Sequence, residues 1–238
     1  MSALPTIVLV HGFWGGAAHW AKVIVALTRT GYSSIRAVEN PLTSVRDDAE
    51  RTRKMIAQVN GPVLLVGHSY GGAVITQAGD QPNVVGLVYI AAFAPDSGES
   101  LAQVMQAAPP PPGAAHVAAD SDGFVWIDRA HFHESFCQDC TADDALVMAV
   151  TQKAPVGATF GAPVTTAAWK IKPTWYQISG EDRMIHPDNQ RRMSARIGAR
   201  KIITLPTGHA SLASRPTEVA SFIAEAAKAT AASGRSGD

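Results

Sequence analysis

Net charge is missing from this chain. Twenty Lys and Arg balance twenty Asp and Glu over 238 residues, so no long-range field draws it to nucleic acid or to an anionic membrane. Cysteine is scarce. Cys137 and Cys140, both in one short stretch, cannot build a disulfide framework and point to a reducing, cytoplasmic setting. Long apolar runs are absent: the longest, at 84–95, falls short of the ~18 residues of a membrane span. Residues 1–10 carry neither the basic start nor the apolar stretch of a secretory leader. No internal repeat is visible. With 46% hydrophobic and 17% charged residues a disordered chain is excluded. A soluble α/β protein remains, long enough to bury roughly 70–75% of its unfolded surface without staples.

Short β-branched runs alternate with segments of helical periodicity. Residues 6–10, 34–38, 63–66, 84–92, 174–179 and 201–205 read as strands. Residues 17–30, 43–60, 69–78, 187–197 and 216–229 read as helices, the one at 43–60 charged and exposed. Strands that are apolar on both faces belong in a mostly parallel central sheet with helices on both faces. The alternation breaks after Phe93. Residues 94–168 hold four consecutive prolines, many Ala and Gly, one helix at 142–153 and no clean strand. They read as a small cap insertion over the sheet. The expected organisation is a core of 1–93 and 169–232, a cap of 94–168 and a flexible tail of 233–238.

The most informative segment is Gly67-His68-Ser69-Tyr70-Gly71-Gly72, which follows a strand and precedes a helix. That is the setting of a nucleophile elbow, a turn so tight that its flanks must be nearly free of side chains. It lifts Ser69 Oγ above the sheet edge, where the following helix N-terminus faces any charge that develops. A serine hydroxyl needs a proton acceptor. Of eight histidines, His209 alone sits after the last strand in a loop able to reach the elbow; His11 and His68 read as structural. The acid should end the preceding strand, and Asp182 is favoured over Asp96 and Glu181. Two backbone donors are needed for an oxyanion, and the N–H groups of Phe13 and Tyr70 are the candidates. Gly12 and Trp14 beside them, with Phe136 in the insertion, are candidate substrate-binding residues. The loop lacks the spacing of a nucleotide-binding glycine motif.

These stretches resemble the α/β-hydrolases, and more narrowly the plant methylesterase and hydroxynitrile lyase family with its bacterial esterase relatives. The resemblance rests on 8–17 with Trp20, on 67–72, on Ser179-Gly180-Glu181-Asp182-Arg183 leading into Pro187 and Gln190, and on Gly208-His209 with Ser214-Arg215-Pro216. It implies the α/β-hydrolase fold, Ser69 as nucleophile, Asp182 as acid, His209 as base, and Phe13 and Tyr70 as the oxyanion hole. The lyases carry Thr at the position of Gly12 and Lys at that of Ala210, which favours an esterase here.

Other clusters carry less. His131, His133, Glu134, Cys137 and Cys140 lack the second half of a zinc motif, so no metal is expected, and no organic cofactor. Arg191, Arg192, Arg196, Arg200 and Lys201 read as a solvated face. The expectation is a carboxylic ester hydrolase whose partner is a small-molecule ester, without nucleic acid or membrane, and compatible with a homodimer. The same triad would also serve hydroxynitrile cleavage, perhydrolysis, C–C bond hydrolysis or a slow-turnover receptor.

Overall fold

The computed structural model describes residues 4–233. Six strands form one parallel sheet: β1 (Thr6–Val10), β2 (Ile35–Val38), β3 (Val63–His68), β4 (Val84–Ile90), β7 (Thr174–Ser179) and β8 (Lys201–Leu205). A separate hairpin supplies β5 (Val117–Ala119) and β6 (Val125–Ile127). The sheet order is β2-β1-β3-β4-β7-β8.

Side-chain alternation splits the core in two. Ile7, Leu9, Leu64, Val66, Val88 and Ile90 pack with Leu27 of α1 (Ala21–Arg29) and with Phe222 and Ile223 of α9 (Pro216–Ser233). Val8, Val10, Val63, Leu65, Leu87 and Tyr89 face the other way. They meet Ile56 of α2 (Val45–Ala57), Val74 of α3 (Gly71–Ala78) and Met193 of α7 (Pro187–Arg196). Each central strand is thus apolar on both faces because each face carries helices. Local chemistry sets the helix starts: the Ser44 hydroxyl accepts from the Asp47 N–H to begin α2, and Pro187 opens α7.

The parallel sheet and its helices follow the sequence reading, with corrections at the ends. β3 runs on through Gly67 and His68, and α3 starts at Gly71 rather than at 69, so Ser69 and Tyr70 form the turn itself. The helix at 43–60 is not simply exposed, since α2 buries Val45, Asp48, Ala49, Thr52 and Ile56. α9 extends to Ser233, the first residue of the expected tail; residues 234–238 lie outside the described residues.

The segment 94–168 is richer than expected. It holds the short helices α4 (Leu101–Met105) and α5 (Phe132–Phe136), then α6 (Ala142–Val150). It also holds the β5–β6 hairpin where no strand was expected. Its signal was present in the Asp122-Gly123 pair: Asp120 Oδ1 accepts from the Asp122 and Phe124 N–H groups, and Gly123 takes φ +81°. A one-turn helix, α8 (Ser211–Ser214), follows β8. No helix among the described residues is long and apolar enough to cross a membrane.

Candidate active site

Ser69 sits in the left-handed region, at φ +56°, between the end of β3 and the start of α3. That strain in a residue with a Cβ is held by its own backbone. The Ser69 N–H donates to Ile90 O at 3.2 Å, and Ser69 O accepts from Gly72 and Phe93 at 3.0 Å. The turn brings Gly67 so close to Gly71 that a Cβ on Gly67 would lie 2.5 Å from the Gly71 carbonyl oxygen. The loop after β1 runs equally near: a Cβ on Gly12 would lie 2.6 Å from Ser69 Cβ.

Ser69, His209 and Asp182, on three separate loops, converge. His209 Nε2 is 2.8 Å from Ser69 Oγ, and His209 Nδ1 is 2.8 Å from Asp182 Oδ2. The Asp182 carboxylate is buried and fully occupied as an acceptor. Met184 N–H (2.7 Å) and Ile185 N–H (2.9 Å) donate to Oδ1, and Gln190 Nε2 (2.7 Å) joins the imidazole at Oδ2. An ionised carboxylate can only accept, so Nδ1 carries the proton and Nε2 presents its lone pair to the serine hydroxyl. The base is held from behind as well. His68 Nε2–H donates to His209 O at 2.9 Å, and the Phe136 ring stands edge-on to the imidazole at 5.0 Å.

The alternative acids go elsewhere. Asp96 pairs with Lys170 at 2.5 Å and Glu181 is exposed. His11 is locked between Gly12 O and the Asn40 N–H. His131 meets Asp128, and His133 meets Cys140 O. Among the described residues no group of three or more His, Cys, Asp or Glu is arranged to hold a metal.

Around the serine lies a cavity of about 190 Å³. Its wall is Phe13, Trp14, Phe93, Met105, Ala114, Val117, Phe160, Met184 and Ile185, and among the described residues Ser69 supplies the one hydroxyl on it. Trp14 takes its expected place, at φ +58°, with its indole N–H on Val125 O at 2.9 Å. Two expected substrate-binding residues do not line the cavity. Phe136 is fully buried behind His209, and Gly12 faces the serine rather than the cavity. Neither the Phe13 nor the Tyr70 N–H donates to another protein group among the described residues. The two rings stack at 3.9 Å, and the Tyr70 hydroxyl donates to Asp48 Oδ2 at 2.5 Å. Asp48 carried no signal in the sequence. Burial raises its carboxyl to about 6, against the opposing hydrogen bonds from Tyr70 and the Leu42 N–H.

Three histidines near this site are kept neutral by burial. The pKa values of His11 and His68 are lowered, and that of His19 falls from 6.5 to about 4. A depressed imidazole pKa makes the unfolded chain the better proton acceptor, so this stability is complete above pH 6.5 and is lost as pH falls toward 4. Urea unfolding followed from pH 7 to pH 4 is therefore expected to show a steep loss. His19→Leu should flatten the slope by up to about 1.4 kcal/mol per pH unit, one proton's worth. A slope unchanged by that substitution would count against the assignment.

Comparison with known proteins identifies the family of the chain. Residues 7–222 match the alpha/beta hydrolase family. An α/β hydrolase of Aspergillus novofumigatus is 30% identical over 94% of this chain and 96% of its own. The crystal structure of a pyrethroid hydrolase from Sphingobium faniae JZ-2 superposes with a TM-score of 0.79 at 21% identity, covering 95% of this chain and 98% of that one. Polyneuridine aldehyde esterase does so with a TM-score of 0.80 at 18% identity, covering 94% and 99%. At those identities the two structures speak for the shared fold, and the sequence match along nearly the whole length shows that the chain belongs to the alpha/beta hydrolase family.

Proposed function

We propose that the protein is a serine hydrolase of small carboxylic esters. One observation carries the reading: the unbroken hydrogen-bonded line from Ser69 Oγ through His209 to Asp182, with the imidazole tautomer fixed by an acceptor-only carboxylate. His209 takes the hydroxyl proton as Oγ attacks the ester carbonyl. Asp182 stabilises the imidazolium without taking its proton. The unengaged N–H groups of Phe13 and Tyr70 support their role as oxyanion donors. His209 then gives its proton to the departing alcohol, and water repeats the sequence on the acyl-enzyme. No cofactor is required. Ala210, where the lyases carry lysine, leaves a departing cyanide no cation, so ester cleavage is preferred over hydroxynitrile cleavage. The two free thiols, Cys137 and Cys140, fit a cytoplasmic setting.

The test is release of p-nitrophenol from a chain-length series of esters, with fluorophosphonate labelling mapped by mass spectrometry. Hydrolysis together with label on Ser69 supports the reading; a labelled protein that turns over no ester, or label elsewhere, sinks it.

The cavity also predicts selectivity. Apolar cavities of about 150 Å³ accept a benzene molecule, so about 190 Å³ accommodates one ring with a short extension. A carboxylate on that ring would be buried with no partner, at a cost of several kcal/mol. Methyl benzoate is therefore expected to exceed monomethyl terephthalate by at least about a hundredfold in kcat/KM. Comparable values for the two esters would show that the ring binds outside this cavity.

A further inference from the structure

We propose that Asp48 is a positioning residue for the reaction, acting through the Tyr70 hydroxyl to aim the two backbone donors at the developing oxyanion. The inference rests on the hydrolase reading above.

Asp48 lies on the buried face of α2 with Val45, Ala49, Thr52 and Ile56, and is 0% exposed. Among the described residues no cation comes within ion-pair distance of it. A buried, unpaired carboxylate is costly where an apolar residue would pack, so its two oxygens must be accounted for. Oδ2 takes the Tyr70 hydroxyl at 2.5 Å and Oδ1 takes the Leu42 N–H at 2.8 Å. Both contacts lead to the site.

Tyr70 is the residue after Ser69, so pinning the far end of its ring fixes the torsions that point its own N–H. The Phe13 ring lies flat on that ring, at 3.9 Å and 13°, so the second donor's residue is braced by the same contact. Leu42, held by Oδ1, sits at φ +63° and accepts from the Val156 N–H at 3.0 Å. That anchors the segment carrying Phe160, which packs 4.7 Å from Phe13 and lines the cavity. One carboxylate thereby ties the turn of the nucleophile to the loop after β1 and to a wall of the cavity. The length of the tyrosine ring keeps its charge away from the reacting carbonyl.

The full chain carrying Tyr70→Phe keeps the ring stack and loses only the hydroxyl. Removal of a whole oxyanion donor costs about 10²–10³ in kcat. Misaiming two donors is expected to cost less, about 10–100-fold, with KM for a p-nitrophenyl ester within about twofold and fluorophosphonate labelling of Ser69 slowed in parallel. Asp48→Leu should match this loss. Asp48→Asn, which retains an oxygen for the hydroxyl, should recover part of it.

Tyr70→Phe leaves a buried carboxylate oxygen unpaired and could fail to fold. The double variant Asp48→Leu/Tyr70→Phe removes both partners and avoids that cost. If positioning is the role, kcat stays depressed in the folded double variant. If the bond serves stability alone, kcat returns to the wild-type value and the proposal falls. It falls equally if folded Tyr70→Phe has wild-type kcat. These outcomes are read beside Ser69→Ala: activity surviving in that variant removes the hydrolase reading itself, whereas an inactive Ser69→Ala with a fully active Tyr70→Phe removes only the role of Asp48.

Discussion

Ser69→Ala is expected to lower kcat by about six orders of magnitude, the scale seen when a subtilisin triad member is removed, which corresponds to about 8 kcal/mol of barrier. The size follows from the surroundings. The remaining cavity wall is carbon and thioether with one engaged indole, so no second hydroxyl can stand in for the one 2.8 Å from His209 Nε2. Folding should change little. Alanine keeps the Cβ and the left-handed backbone at φ +56°, and the three backbone hydrogen bonds of residue 69 do not involve the hydroxyl. Steady-state hydrolysis and thermal melting on one preparation check both halves. A variant within a hundredfold of the parent would remove Ser69 as nucleophile.

Asp182→Asn is expected to cost about 10⁴ in kcat through the tautomer of His209 rather than through loss of contact. A carboxamide nitrogen facing Nδ1 donates a proton there, which moves the imidazole hydrogen to Nε2. That nitrogen then has no lone pair for the serine. The carboxylate has three other donors, on two sides, and the substitution leaves one side without an acceptor. The Met184 and Ile185 N–H groups need an oxygen, and so does Gln190 Nε2. One carboxamide oxygen cannot face both sides. Gln190 cannot rotate freely to compensate, because its own Oε1 accepts from the Ser179 N–H at 3.0 Å. A stability loss of about 1–3 kcal/mol should accompany the slower chemistry, the cost of one unsatisfied buried group. If kcat falls less than tenfold while the protein remains folded, Asp182 does not orient the base.

Much of this was legible in the residues, and for separable reasons. β7 and β8 fall where their runs of β-branched and aromatic residues start and stop. Ser69 stood out because only glycine tolerates the approach of Gly67 to Gly71, so the constraint is written in composition. His209 and Asp182 were found by their places at strand ends. The insertion was less readable. Its hairpin strands are three residues each, too short for periodicity to register. Met105, Ala114 and Val117 lie 43 residues or more from Phe160 and meet it only in three dimensions. Residue type alone points Phe136 to the wall, but an aromatic ring serves equally well as a brace for an imidazole. Asp48 was hidden for the opposite reason. In a helix with Asp47, Glu50 and several basic residues, one more carboxylate looks solvated, and only the packing of α2 against α3 shows it turned inward.

The route of the chain between β4 and β7 has a consequence for how such a protein can change. The nucleophile, the base and the acid all come from loops at the ends of sheet strands, whereas Met105, Ala114, Val117 and Phe160 come from a single excursion of the chain. Part of the appetite is therefore encoded in a stretch of the gene apart from the chemistry, while Phe13, Trp14, Phe93, Met184 and Ile185 share the loops that carry it. Exchanging the excursion for another of similar length would redraw the menu of compounds accepted, provided the replacement again backs the imidazole as Phe136 does.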